Sequence, residues 1–413
     1  MRPANLLLIA LFVVQNATYV AYMNDYLTQS AYLATLFAFS GFAGLRLLWM
    51  LTVRKRRLTR LTFGQPGALL LVAVATMLSY SLVRDFVTHD RLNTSAIYDS
   101  VYIAIPVVVA LVVVNNTSLR QLDVYMVILL VRYILVVVTT ADVPLGLSAI
   151  AQIDWFDSSS PFESSSAHDL LVLEAYFLFR QRRVIAVVSM LFTMVSLKRL
   201  SFLAAPALYL WHRRQTGIKP PGARSLVTLF ALGVASPFLV MAVYSDWFTS
   251  WLKSTFDVDL DEFSMGRRTI YEIVRNYVDS SPGLGSTNAQ LSGFVGEHFG
   301  TVWNNQLHND TLRLYLEVGI VCLALYIGGL VLAARSSRLS FLLVTYAMFV
   351  LVTSRLITHF SFWIVLFLAL AAMERVASET RRSAALPPLN SPAAELEPPS
   401  RRARRSTFRK VRT

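Results

Sequence analysis

The chain contains one cysteine, Cys322, which excludes an internal disulfide and any thiolate metal cluster; because it falls inside an apolar run, it carries no information on redox compartment. Charge is scarce as well. Asp, Glu, Lys and Arg make up 15% of the 413 residues against 55% hydrophobic ones, and the mean hydropathy is +0.52. A soluble globular domain does not carry that balance. The alternating apolar and polar strands of a membrane barrel are missing, and no internal repeat is visible. No small-x-small cleavage site follows MRPANLLLIALFVVQNATYV, so that run reads as a retained first span. What the absences leave is an all-α, polytopic transmembrane bundle, in which each helix satisfies its own backbone groups within lipid.

Apolar runs recur along most of the chain, and crossing a hydrocarbon core takes about 20 helical residues. The pattern predicts about 12 spans, at 4–22, 31–53, 66–83, 96–115, 123–140, 166–179, 184–197, 200–212, 225–244, 309–333, 339–354 and 357–373. The net charge of +13 would suggest nucleic acid in a soluble protein, but here the basic residues lie mainly between spans and in the tail. RKRRLTR, RQRR, HRRQTGIKPPGAR and ARSSR all fall on one side, which the positive-inside rule makes cytoplasmic. Both termini then share that side, and the expected location is a bacterial cytoplasmic (inner) membrane crossed many times. Residues 1–373 form the bundle. Residues 374–413 are Pro-rich, basic and poor in apolar side chains, and are expected to form a disordered cytoplasmic tail that rests on anionic lipid head groups and binds no nucleic acid.

The longest extracytoplasmic segment, 245–307, is too long for an ordinary connection, and its length points to function. Within it, DEFSMGRRTIYEIVRNYV places Ile270, Ile273, Val274 and Tyr277 at helical spacing, with Arg268, Glu272 and Arg275 on another face. This predicts a short amphipathic helix over the membrane mouth. SSPGLGS then stops it, because Pro282 cannot continue a helix and Gly283 and Gly285 permit a tight turn.

The charges inside this apolar framework carry the functional signal. In NNQLHNDTLRLYLEVGIV, His308 opens the tenth span on a face shared with Leu312, Tyr315 and Gly319. An interfacial histidine bonded to a loop would look the same in isolation, but an imidazole titrates near neutrality and can take a proton from an attacking hydroxyl. Asp310 suits the positive end of the helix dipole, and the spacing of Arg313 and Glu317 predicts an ion pair. Lys198, Arg199, Arg267 and Arg268 fall on the outer side, where a phosphate-bearing lipid exposes its head group, and guanidinium groups bind phosphate oxygens through several donors at once. Arg46, Arg132 and Glu174 lie within spans, where a charge costs about 3 kcal/mol or more and needs a partner or water. Arg355 and His359 sit at the last outer turn, where a place in the site and a structural role at the interface are both open. Buried charges also suit a transporter, but inverted repeats and broken midplane helices do not stand out.

SLKRLSFLAAPALYL (196–210), GRRTIYEIV (266–274), PGLGS (282–286) and LHNDTLRLYLEVGIV (307–321), with the long loop before the HN pair, resemble the O-antigen ligase and polymerase family over roughly residues 160–330. The resemblance implies a helical glycosyltransferase using polyprenyl-diphosphate-linked glycans, with neither cofactor nor metal. It makes His308 the residue beside the acceptor hydroxyl, Arg267 or Arg268 together with Lys198 and Arg199 the diphosphate-binding cations, and Asn309, Glu317, Gly283 and Gly285 supporting residues. Where the family has Ser-Arg-Gly this chain has Lys198-Arg199-Leu200, so either cation can serve. PFESSSAHDLL replaces the common Gly-Asn-Pro-Asn and assigns His168 no role. The expected activity is polymerisation of a repeat-unit polysaccharide at the outer face of the membrane. O-antigen ligation or protein O-glycosylation is the alternative within the family, and a polysaccharide-lipid transporter the alternative outside it. Expected partners are the lipid-linked glycan, a glycan acceptor, membrane lipids and a chain-length regulator.

Overall fold

Long apolar runs become helices, even across the interior prolines Pro106, Pro206 and Pro237, and the computed structural model is all-helical among the residues it describes, which are 3–89, 94–140, 167–196, 199–214, 219–258, 260, 267–278, 283–299 and 307–384. The helices are α1 (Pro3–Met23), α2 (Gln29–Thr52), α3 (Gly64–His89), α4 (Thr94–Asn116), α5 (Leu119–Thr140), α6 (Ala167–Phe179), α7 (Arg183–Val195), α8 (Arg199–Arg214), α9 (Ala223–Val243), α10 (Asp246–Phe256), α11 (Arg267–Tyr277), α12 (Ser286–Phe299), α13 (Asp310–Ala334), α14 (Arg338–Thr353) and α15 (Phe360–Ala384). Each expected span coincides with a helix. Eight of them, α1 to α5, α9, α13 and α15, are long and apolar enough to cross a membrane.

The four short ones differ for a physical reason. α6 has 13 residues, a rise of about 20 Å against a hydrocarbon core of roughly 30 Å. Every residue from Ala167 to Leu178 is buried, so protein rather than lipid surrounds it, which is where short or broken helices are tolerated. The α7–α8 hairpin has its break between Val195 and Arg199, as the charge pattern predicts. Leucines and valines such as Leu45, Val72, Val83, Leu203 and Val227 stay exposed along the helices, a surface suited to lipid.

α13 packs against α3, α9 and α14 and anchors the bundle. Its start meets the connection from α9, residues 244–309, which holds three described helices where the sequence pattern predicts one. α11 is the predicted amphipathic helix. α10 begins at Ser245, whose hydroxyl accepts the Phe248 N–H (3.4 Å), and α12 follows the Gly283–Gly285 turn. The chain divides into two units, Met1–Glu374 and Arg375–Thr413. In the second, α15 continues to Ala384 with an Arg375–Glu379 pair at 3.1 Å; the tail expected to be disordered lies, from 385 onward, outside the described residues.

Candidate functional site

The first turn of α13 is built by its own side chains. Asn309 is the N-cap in extended conformation, and its Oδ1 accepts the Leu312 N–H and the Thr311 hydroxyl, both at 2.9 Å. The Leu307 N–H donates to Asn288 Oδ1 of α12 at 3.0 Å. Asp310 is buried, and its Oδ2 accepts the N–H groups of Leu356 and of Ile357 (2.6 Å for the latter) in the α14–α15 loop. Asp310 thus sits in the first turn as the sequence predicts, but its carboxylate holds a second loop. His308, half-buried, stands between these two fixed neighbours.

About two helical turns further on, Glu317 organises the glycine turn. Its buried carboxylate accepts the N–H groups of Gly285 (2.9 Å) and Thr287 (3.1 Å) and the Arg313 Nε–H (3.0 Å). Arg313 in turn donates to Asp99 of α4. The predicted Arg313–Glu317 pair is therefore one arm of a triad that joins α4, α13 and the start of α12. Gly319 explains how the backbone joins in: its φ of 78° and ψ of 175° break the helix, a conformation reserved for glycine. The Glu317 carbonyl, which an unbroken helix would give to Val321, accepts the Gly283 N–H at 3.1 Å. The Leu284 N–H donates to Ser81 of α3 at 2.8 Å. At Gly285, φ is 88° and a Cβ would lie 2.9 Å from the Ser95 hydroxyl, so only glycine fits the socket.

α11 is seated on this platform. Ile273 and Val274 form a small core with Leu291 and Val295 of α12 and with Leu307 and Leu312, which flank His308. The polar face behaves as its spacing predicts. Arg268 pairs with Glu272 (2.9 Å) and Asp246 (3.4 Å), so its charge is balanced within the connection. Arg267 forms no ion pair among the described residues, and its charge acts on Tyr271 four residues on. Tyr271, packed on Tyr244 with ring centroids 4.3 Å apart, faces the Asn309 amide; burial pushes its hydroxyl up to about 12, so it stays neutral. Arg355, next to the loop that Asp310 holds, also forms no ion pair among the described residues. Burial, then the neighbouring Arg313 charge, disfavour its charged form and outweigh the opposing pull of Asp310, Asp99 and Glu317, a setting in which a bound anion gains.

Of the other predicted cations, Lys198 lies outside the described residues, and of Arg199 only the helical backbone is described. That backbone is nonetheless anchored. Ser201 bonds His168 Nδ1 (3.1 Å) and the Tyr346 hydroxyl (2.7 Å), and His168 bonds the same hydroxyl (2.7 Å). Asp169, the next residue, accepts from Ser361 Oγ (3.1 Å), four residues after Ile357, which is itself held by Asp310. The start of α8 and the start of α13 therefore lie at one end of the bundle. His168 is a buried structural residue in this chain of bonds.

Asp99, Ser81 and Asn288 were not legible as site residues. Asp99 alone left a trace, a carboxylate near the start of an otherwise apolar span. Among the described residues no group of three or more His, Cys, Asp or Glu is spaced to hold a metal ion. Residues 184–327, from α7 into α13, match the family model described as O-antigen ligase, in agreement with the resemblance carried by the sequence motifs. No curated protein and no solved structure matches the chain.

Proposed function

From the family match of this segment we propose that the protein is a membrane glycosyltransferase, moving a glycan from a polyprenyl diphosphate to a sugar hydroxyl at the outer face of a bacterial cytoplasmic membrane. The observation that carries the reading is the seating of α11 against Leu307 and Leu312, which flank the HN pair, with Arg267 one helical turn from Tyr271 on the same helix. Arg267 and Arg355, cations without a carboxylate partner among the described residues, receive the diphosphate together with Lys198 and Arg199. As the bond between the anomeric carbon and the diphosphate oxygen breaks, its electron pair goes to that oxygen, and the cations stabilise the growing charge. The acceptor oxygen bonds the anomeric carbon from the opposite face, with inversion, and its proton passes to the His308 imidazole. Glu317, Gly283 and Gly285 hold α12 and so the floor on which α11 rests. Arg268, already balanced by Glu272 and Asp246, orients the connection.

Purified protein in liposomes, given a lipid-diphosphate glycan and an acceptor in one leaflet, tests the proposal: the product lengthens and His308→Ala abolishes it. Movement of intact donor between leaflets with no change in glycan length would establish a transporter instead. Polymerisation is the form we put first. Ligation is the second reading, favoured by the description of the matched family. Deletion of the gene separates the two, since loss of a polymerase leaves single repeats on the lipid carrier and loss of a ligase leaves long chains there.

A further inference from the structure

A second polar cluster lies at the same end of the bundle, and the transfer chemistry above does not use it. Arg132, in the second half of α5, is 3% exposed. Its Nη2 lies 3.8 Å from Asp169 Oδ2, and its guanidinium covers the rings of Tyr133 (4.2 Å) and Tyr19 (4.8 Å). Asp169 Oδ2 also accepts from the Tyr133 hydroxyl and from Ser361. His359 is close enough to feel the Arg132 charge. Despite this crowding, Arg132 Nε and Nη2, Asp169 Oδ1 and His359 Nδ1 are buried without a hydrogen-bond partner among the described residues.

Bare polar atoms in a buried setting cost about 1–3 kcal/mol each and more when charged, so a cluster of four calls for a polar guest. The walls indicate which kind. Tyr22 stacks on Tyr32 at 5.5 Å, Tyr19 meets Tyr32 edge-on at 5.4 Å, and Phe360 lies 6.5 Å from Tyr32 and 6.4 Å from Tyr102. Tyr19, Tyr22 and Tyr102 are partly exposed. Arg132 and Asp169 nearly cancel, so the cluster offers a phosphate no surplus positive charge, unlike Arg267 and Arg355. An aromatic wall with a few fixed donors and acceptors and little net charge suits a neutral, hydroxyl-rich ring. The cluster is also within reach of the reaction. Ile357, bonded to Asp310, and Ser361, bonded to Asp169, are at most roughly 14 Å apart along the chain, and His308 is two residues from Asp310.

We propose that Arg132, Asp169 and His359, walled by Tyr19, Tyr22 and Tyr102, form an acceptor subsite that holds a neutral sugar of the receiving glycan away from the hydroxyl that reacts. The role as an acceptor subsite rests on the glycosyl-transfer reading, whereas sugar binding at the cluster does not. The probe is the repeat-unit oligosaccharide released by mild acid from the producing cell's own surface glycan. Its binding to the full-length protein, without donor, is followed by saturation-transfer NMR. The wild type should bind it, and Asp169→Asn, Tyr22→Leu and Tyr102→Leu should each weaken binding about tenfold. In the transfer assay the same variants should raise the acceptor KM about tenfold and leave the donor KM in place, a split that a purely structural role would not produce. The two tyrosine variants keep the test open if Asp169→Asn does not fold. No binding by the wild type, or equal binding by well-folded variants, would overturn the subsite. A wild type that binds the oligosaccharide yet transfers nothing would instead refute the transfer reading and leave the sugar site standing.

Discussion

The two ends of the bundle use the same residue types differently. At the end that carries the α9–α13 connection, Asp99, Asp310, Arg313 and Glu317 tie together segments far apart in sequence, and Arg313 and Glu317 are almost fully enclosed. At the opposite end Asp123 accepts Arg180 through Nε (2.9 Å) and Nη2 (3.1 Å), and Arg182, its side chain 59% exposed, approaches the same carboxylate at only 4.0 Å. Arg335 meets Glu374 at 3.8 Å with both partly exposed. Where water can replace a lost partner, an ion pair contributes little; where it cannot, the remaining charge is stranded. Charge at the connection end therefore specifies geometry, and charge at the other end mainly marks a boundary.

The sharpest way to break this contrast is Arg313→Ala, which leaves Glu317 buried without its cation. It should destabilise the protein by about 3–5 kcal/mol, read as a large fall in the thermal unfolding temperature in detergent together with loss of transfer. Next comes Arg267→Ala, expected to lower transfer about a hundredfold without altering unfolding, while Arg268→Ala lowers it only a few-fold because that charge is balanced by Glu272 and Asp246. Equal losses from both arginines in an initial-rate assay would contradict the distinction. Gly319→Ala comes third. Nothing lies within 4 Å of a Cβ at Gly319, so the loss is a backbone one of about 1–3 kcal/mol, visible as a lower unfolding temperature. The smallest effect is expected from Arg182→Ala at the opposite end, within about 0.5 kcal/mol of wild type and with unchanged transfer; a clear loss there would erase the difference between the two ends.

The amphipathic face of α11 was legible because a period of 3.6 residues is a property of neighbours in sequence, and Ile270, Ile273 and Val274 point inward as that period requires. The Arg313–Glu317 pair was legible for the same reason. α10 and α12 were not, since each is a short segment whose start is set by a contact, the Ser245 cap for one and the Glu317 carboxylate for the other. Arg267 and Arg268 are indistinguishable as adjacent letters; they separate only when Glu272 and Asp246 reach one of them and neither reaches the other.

By itself, then, the sequence determined a helical membrane bundle, the position of each apolar helix and the segment in which polar chemistry collects, because each follows from local hydropathy and periodicity. The tertiary structure alone decided that Asp99 completes the Arg313–Glu317 pair, that Asp310 grips the α14–α15 loop, and that Asp169 meets Arg132. Those contacts join residues tens to hundreds of positions apart, and only the packing of helices, in which buried charges must find partners wherever the chain brings them, selects one such pairing over the others.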